Sequence, residues 1–564
     1  MILVLTAVSG CISPSASSLP STSPVEPSSA MVSAQLSIIS DIKEIDMSIS
    51  MDMYNLANKI GGAKSPADVR TLALEYYGEN AWIEKLIYYD LATGERTRVP
   101  ELSNDMYMTD YLPIPSQSEL EAAGGVLHLD CVYIPGDGYV SANYAAVYSG
   151  DGRFKGLLIL VYDMYVVLNI NGVLSDSTEY GGYGCFILDR HNTVVFSTTP
   201  EYIGVTVTEA KPLYTGISFI QKSESKTGAY KYTSSAFYNY LRGTTTEKVT
   251  AWQQFVSYKS TYTLYLVEEL NQQAMQYKDT YSVDVQQTMD AVVDAYVYAV
   301  SHSKEDALKK ISNGEFSPYL CAMDREGNIL AITTPESIGM NYMNNRDAYG
   351  VSYTEAMIYT AEQGGGYVYY SYPVDWVVTP AGSQFSIGYI LSVNDEWFIF
   401  GRFAGDSDVG KVNLDLRKDV TDVSRTMVEK AYKSGVDSVI DMINTNPGAT
   451  GSLFVKGLSH TVSVMGVIDT TGVVYAHSLK PSLVGTVQTG YTDVYGGSTA
   501  RKMIMMAKAG GGLLSDLTQS TTDPSMVNLW LYSIEPIDTT HFVMTGIIIG
   551  TYRDYLSEFL KPQE

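Results

Sequence analysis

CAMDREGNILAITTPESIGMNYMNNRDAYGVSYTEAMIYTAEQGGGYVYY, residues 321–370, and GVIDTTGVVYAHSLKPSLVGTVQTGYTDVYGGSTARKMIMMAKAGGGLLSD, residues 466–516, are two copies of one pattern. Pro335, Gly339, Asp347, Tyr349, Gly350, Ala361 and the glycines 364–366 recur as Pro481, Gly485, Asp493, Tyr495, Gly496, Ala507 and the glycines 510–512, always 146 residues on. Only the leading aspartates, Asp324 and Asp469, stand one residue out of step, a difference assigned to the hairpin they open. A looser copy begins at Asp189, whose spacing to Pro200 and Gly204 is that of Asp324 to Pro335 and Gly339, and it continues at Lys226–Tyr232 (KTGAYKY). A faint fourth echo is Tyr89, Asp90 and Gly94. Recurrence at a fixed period marks a repeated structural unit.

The residue types say what the unit is. An apolar run ends at Asp, a turn with Gly or Asn follows, and a second apolar run returns (NILAIT at 328–333, VVYAHS at 473–478), which is a hairpin. The Pro-x-x-[IV]-Gly loop comes next. Asp-x-Tyr-Gly then precedes a helical stretch, Tyr353–Glu362 or Thr499–Lys508, which the triple glycine ends. Apolar runs close the unit: YVYYSYP, FSIGYIL and EWFIFGRF in one copy, NLWLYSI and HFVMTGIII in the other. Strand, strand, helix and three strands predict an α+β unit, one antiparallel sheet with a helix on one face. Between Met31 and Ile60, apolar residues fall at 38, 42, 45, 49, 53, 56 and 60, a helical spacing. Leu266–Lys310 and Val409–Ile443 read the same way, so a long helix is expected to open each unit and pack along its sheet.

The N-terminus reads as an export signal. MILVLTAVSG is followed by Cys11, and Val8–Cys11 resembles a lipobox whose cysteine is lipidated. Residues 12–30 (ISPSASSLPSTSPVEPSSA) cannot supply a core and are expected to form a disordered tether. No later run reaches the ~18 uninterrupted apolar residues of a membrane span. The expected location is the outer face of the cell membrane, with the lipid as the only membrane contact, or the medium if Cys11 is unmodified.

At 564 residues the chain exceeds one core, and ~150 residues per domain suggests about four. A net charge of −25 with no basic stripe excludes nucleic-acid binding. Four cysteines without a CxxC make no disulfide framework, and Cys185 and Cys321 sit in apolar runs as small buried hydrophobes. The six histidines are scattered, with no metal-ligand spacing. GxSxG, P-loop, HExxH and EF-hand patterns are absent. No enzyme, metal or cofactor is implied.

The long N-terminal helix, the D-x-x-G hairpin, the P-x-x-[IV]-G loop, the D-x-Y-G element and the Gly-rich turn before a Y-x-Y strand together resemble the Cache family, PAS-like extracellular sensory domains. The resemblance divides the chain into a signal (1–11), a tether (12–31), a helix with a distal unit (32–178), a proximal unit (179–268), two further helix-led units (269–405 and 406–556) and a tail (557–564). The first pair resembles a double Cache, the last two single Cache units. It implies a binding or sensory protein for a small molecule such as an amine or carboxylate. The chain is expected to lack an output domain of its own, so that a membrane receptor or transporter would receive its signal.

In double forms the distal unit usually holds the ligand. The Arg-x-Trp-Tyr element of amino-acid-binding members has no counterpart here: residues 105–111 offer Tyr107 and Tyr111. The family's Asp after a strand matches Asp163, at the end of KGLLILVYD, where it would receive an ammonium. Asp347, Tyr349, Tyr353, Asp493 and Tyr495 are candidates to line pockets in the later units, and Arg346 and Arg501 to clamp a carboxylate bidentately. The rival for the aspartates is loop capping, and for the arginines plain exposure. A rival for the whole chain is a structural or adhesive surface protein that uses the stacked units as a spacer.

Overall fold

The computed structural model of the chain describes residues 23–101, 111–134, 137–170, 173, 183–198, 202–206, 226–234, 246–270, 285–373, 383–404, 413–520, 523 and 526–552. A two-residue strand β1 (Ser23–Pro24) precedes helices α1 (Ser29–Gly61) and α2 (Pro66–Glu79). Then come β2 (Ile83–Asp90), β3 (Arg96–Val99), α3 (Gln117–Ala123), β4 (Val126–Ile134), β5 (Gly138–Tyr148) and β6 (Phe154–Tyr162), which make the first sheet. Helix α4 (Met164–Ile170) leads to the second sheet, β7 (Gly184–Leu188), β8 (Val194–Ser197), β9 (Thr227–Ser234), β10 (Thr246–Ser257) and β11 (Ser260–Glu269). The third has α5 (Val285–Ser301), α6 (Lys304–Ser312), β12 (Leu320–Asp324), β13 (Ile329–Ile332), α7 (Tyr353–Glu362), β14 (Gly365–Pro373), β15 (Ser383–Ser392) and β16 (Trp397–Ala404). The fourth has α8 (Leu414–Ser434), α9 (Val436–Asn444), β17 (Val464–Asp469), β18 (Val474–His477), α10 (Thr499–Ala509), β19 (Gly512–Gln519), β20 (Val527–Pro536) and β21 (His541–Tyr552).

All four sheets have one topology. The orders β3-β2-β6-β5-β4, β8-β7-β11-β10-β9, β13-β12-β16-β15-β14 and β18-β17-β21-β20-β19 are each 2-1-5-4-3 counted from the unit's own first strand, the second sheet carrying β1 as a sixth strand outside β9, and every pairing is antiparallel. The aspartate that opens each first hairpin explains why it recurs. Oδ1 of Asp90 accepts from the backbone of Ala92 and Thr93, that of Asp189 from His191 and Thr193, that of Asp324 from Glu326 and Asn328, and that of Asp469 from Thr471 and Val473, at 2.7–3.1 Å. The faint echo at Asp90 is a related turn one residue longer: the Asp90 N–H donates to the Glu95 carbonyl, five residues on, where the other three reach four residues on.

The one-residue step between the last two copies is not in the hairpin. Cys321 pairs with Ile332 and Gly466 with His477, so the two hairpins have the same length. The extra residue lies in Ser478–Lys480, the link to the turn at Pro481–Leu483, where Leu479 is exposed.

Three further expectations need correcting. Leu266–Glu269 is not helical: it belongs to β11, where Leu266 pairs with Cys185 and Val267 with Gly184. The stretch from Val409 holds two helices, broken at Gly435, whose φ of 85° lies in the left-handed region that glycine enters without strain. The tether segment is structured from Ser23, because β1 pairs with Lys231 and Tyr230 on the edge of the second sheet, where a proline needs no ladder donor. Cys11 lies outside the described residues.

Helix α1 begins where the Ser28 hydroxyl accepts from the Met31 N–H, an N-cap. Its two halves serve different sheets. Met31, Ala34, Ile38, Ile39 and Ile42 pack with Cys185, Ile187, Ala251 and Leu264 of the second sheet. Ile49, Met53, Leu56, Ala57 and Ile60 pack with Leu86, Ala145, Val147 and Leu158 of the first. The first core continues without a break into α8 and the fourth sheet through Val423, Met427, Val467 and Val543. The third and fourth sheets share two cores of their own, one built around Tyr353, Met357, Met503 and Met506 and the other around Tyr349, Tyr369, Leu517 and Leu529. Among the described residues, no helix is long and apolar enough to cross a membrane.

Candidate ligand site on the first sheet

Strand alternation gives the first sheet two unlike faces. Leu86, Tyr88, Ala145, Val147, Leu158, Leu160 and Tyr162 face α1. Ile87, Val140, Ala142, Tyr144, Ala146, Leu157, Ile159 and Val161 face the other way, met by Leu112 and by Leu120 of α3. Helix α3 is only seven residues long, held by a capping box in which the Ser116 side chain accepts from the Glu119 N–H and the Glu119 carboxylate accepts from the Ser116 N–H. The corresponding covers α7 and α10 have ten and eleven residues. At the centre of the apolar face, between two alanines, the Tyr144 hydroxyl is fully buried and has no hydrogen-bond partner among the described residues. A buried, unpaired hydroxyl costs about 1–3 kcal/mol, so this position asks for a partner.

One end of that face is charged. Lys85, in register with Val161, forms an ion pair with Asp137. Asp163 follows β6, 2% exposed, with Oδ1 accepting from the Tyr165 N–H at 2.8 Å and Oδ2 lacking a hydrogen bond. Arg346, from the third unit, brings Nη2 to 3.7 Å from Asp163 Oδ2 while its Nη1 donates to the carbonyl of Met343. Glu84 lies beside them. Burial pushes its carboxyl up to about 7, and the charges of Asp163 and Asp137 push the same way. Arg417 of α8 approaches from the far side. Its Nη1 is buried without a hydrogen bond, and burial followed by the charge of Arg346 lowers its pKa.

The structure thus joins two sequence candidates, Asp163 and Arg346, that belong to different units. It gives the others different positions. Tyr111 is exposed and Tyr107 lies outside the described residues. Asp347 clamps its own loop: Oδ1 accepts from the N–H groups of Tyr349 and Val351 and Oδ2 from that of Ser371, while burial raises its pKa to about 6. Asp493 makes the same clamp on Tyr495 and Gly497. Tyr349 lies in a shared core, Tyr353 stacks on Tyr370 and accepts from the Asn345 amide, and Tyr495 stacks on Tyr367. Arg501 is exposed. The buried cation of that helix is the next residue, Lys502, 2% exposed, which sequence reading missed.

A second polar cluster joins the first two sheets. His128 donates from Nε2 to Asp130 Oδ1 and from Nδ1 to Asn143 Oδ1, both at 2.5 Å, and its ring stacks on Tyr258 with centroids 4.3 Å apart. Tyr258 is at the tip of the β10–β11 hairpin, and its hydroxyl reaches the Asp46 carbonyl of α1 at 3.1 Å. Ser257 bonds the Asp46 carboxylate, and Tyr262 donates to Asp130 Oδ2 at 2.6 Å. Among the described residues, no group of His, Cys, Asp and Glu is arranged to hold a metal.

No curated protein is detectably similar in sequence. Similar solved structures include an extracellular ligand binding receptor from Desulfohalobium retbaense (15% identity, 42% of this chain, 39% of that chain, TM-score 0.30). Others are the ligand-binding domain of the Pseudomonas aeruginosa amino acid chemoreceptor PctB in complex with L-Arg (13% identity, 41% of this chain, 91% of that chain, TM-score 0.31) and that of the Pseudomonas fluorescens chemoreceptor CtaA in complex with L-serine (13%, 41%, 92%, TM-score 0.31). Residues 252–375 match the family described as Single Cache domain 2, a stretch from within β10 through α5, α6, the third unit's hairpin and α7 to the end of β14. That match to a Cache family covers residues 252–375, and all four sheets share one strand order.

Proposed function

We propose that the chain is an extracytoplasmic small-molecule binding and sensory protein, held at the membrane by a lipid on Cys11, and that its ligand lies on the apolar face of the first sheet. The observation that carries this reading is the buried, unpartnered Tyr144 hydroxyl, set in an apolar floor with the Asp163–Arg346 pair at its rim. An apolar floor with a few convergent polar groups is the usual make-up of a small-ligand site. The 3.7 Å pair is too long for a hydrogen bond, which leaves Asp163 able to take an ammonium and Arg346 a carboxylate. Amines, carboxylates and compounds bearing both are therefore the expected classes, and a receptor or transporter in the same membrane is the expected recipient of the signal.

The test is a thermal-shift panel of amino acids, carboxylates, amines and nucleobases on the folded protein. One class should raise the melting temperature, and Tyr144→Phe should weaken its binding by roughly five- to tenfold, the worth of one neutral hydrogen bond. Folded protein that responds to no class removes the proposal.

For the third and fourth units the spacer reading has an observation of its own. Their covering helices α7 and α10 pack into one shared core, so the faces that correspond to the first unit's site are filled by Tyr353, Met357, Met503 and Met506. In this reading only the first unit senses, and the last two support it.

A further inference from the structure

Lys502 has the surroundings of a bound ligand. It projects from α10 into the joint between the third and fourth sheets and is 2% exposed. Its Nζ lies 3.5 Å from Asp493 Oδ2, 3.5 Å from Asp516 Oδ1 and 3.4 Å from the Tyr367 carbonyl, with the Tyr369 ring centroid at 5.3 Å. Two carboxylates, a carbonyl and an aromatic face are the groups that recognise a primary ammonium. They come from separate places. Asp493 is on the loop before α10, Asp516 is on β19, and Tyr367 and Tyr369 are on β14 of the third unit. Asp516 is also held by the Thr499 hydroxyl, and Asp493 by its loop. The acceptors are thus fixed by bonds that do not involve the lysine. Their contacts to Nζ are all at the long end of the hydrogen-bond range, as for a cation resting in a preformed cradle.

The repeat shows that the cradle is not part of the fold. At the matching positions of the third unit, 146 residues earlier, Lys502 is replaced by Ala356 and Asp516 by Tyr370. The cation and its second carboxylate occur together in one copy and are both missing from the other, which closes the same space with the Tyr353–Tyr370 stack.

We propose that the joint between the third and fourth units contains a site for primary alkylammonium ions, and that Lys502 fills it as a built-in ligand. The site would keep the two units in a permanently occupied state, while the first unit is left to respond to external ligand.

Removal and replacement of the ammonium tests this. Lys502→Ala deletes the atoms of n-propylamine. The variant should melt well below wild type, and n-propylammonium chloride should restore its melting temperature or its yield of folded protein in a saturable way. Neither 1-propanol nor the same concentration of potassium chloride should do so. The rescue should disappear in the Lys502→Ala, Asp516→Asn double variant. Equal behaviour in propylammonium and potassium chloride, by both yield and melting temperature, overturns the proposal. So does Lys502→Met, which keeps the volume without the charge, if it melts like wild type at neutral pH.

Discussion

His128 holds a proton that an ordinary histidine gives up near pH 6.5. Burial alone would lower its pKa, but Asp130, the hydrogen bonds to Asp130 and Asn143, and the charge of Asp46 outweigh burial and raise it to about 9. The groups facing the ring are Asp130, Asn143 and Tyr162 on its own sheet, Asp46 on α1, and Tyr258 and Tyr262 on the second sheet. A folded-state pKa above the unfolded one gives stability that is whole below the unfolded value and is lost as pH rises through the folded one. From 6.5 to about 9 the loss amounts to roughly 3 kcal/mol at ~1.4 kcal/mol per pH unit. Asp46 acts in the opposite sense. Burial raises its pKa to about 6, so its ionised form costs stability, a cost absent below 3.8 and complete above about 6. The urea midpoint of the wild type is predicted to fall between pH 7 and 9 while that of His128→Gln changes much less. Parallel curves would show that His128 is not protonated at neutral pH. Arg425 provides a second prediction. It is 6% exposed and bonds Glu535, the Tyr77 hydroxyl and the carbonyls of Asn80 and Ile83. Arg425→Ala leaves the Glu535 carboxylate buried without a counter-charge, held only by the Tyr77 hydroxyl, and should cost roughly 3–5 kcal/mol in chemical denaturation, whereas Arg425→Ala with Glu535→Leu should cost less. None of these pairings was legible in the sequence, and the reason is the same for each. Arg425 lies 110 residues from Glu535, Arg346 comes from a different unit than Asp163, and His128 meets a hairpin tip from the second sheet. A partner supplied by another unit leaves no local pattern. One weak signal existed: Asp516 sits among three leucines in the strand GLLSDLTQ, where a charge has to be satisfied.

At the scale of elements, the sequence was legible wherever a backbone conformation requires a particular residue. The glycine of the Pro-x-x-[IV]-Gly loop is an example. Gly204, Gly339 and Gly485 have φ of 83°, 81° and 81°, the left-handed region that disfavours any side chain by about 1–2 kcal/mol. Helix α7 spans Tyr353–Glu362 as the spacing predicts, and the glycines after it stop the helix and begin β14. What the loop packs against was not legible. A Cβ on Gly204 would lie 2.1 Å from the ring of Tyr139, while the space around Gly485 is open. Gly485→Ala is therefore predicted to lose only the conformational ~1–2 kcal/mol, and Gly204→Ala to lose a further ~1–3 kcal/mol from displacing the ring. Urea melts of both variants test the difference, and equal losses would mean that Tyr139 does not support the loop. The misread start of α5 has a related cause. Leu264, Leu266 and the residues around them suit either period over so short a run, and the choice was made by pairing with Cys185, which is far away in sequence.

Across the whole molecule, the repeat was read correctly as a sequence of similar units, but it does not say that the units share cores. The first sheet and the fourth meet across α2 and α8, the third and fourth meet across α7 and α10, and α1 spans the first and second. Shared apolar cores make unfolding of one unit expose its neighbour. Calorimetry is therefore predicted to show the first, third and fourth units melting in a single transition, and a resolved peak for the third unit alone would contradict this. The small strand β1 has a different consequence, which concerns force. It is fastened to the edge of the second sheet by Ser23 and Pro24, with the Val25 N–H bonded to the Ala229 carbonyl, and the Ser28 cap and α1 follow directly. A pull on the chain ahead of Ser23 is thus borne first by this short strap. The strap peels from an exposed edge before any load reaches the long helix, so a jolt arriving from ahead of Ser23 is spent there and does not disturb the sheets that α1 aligns.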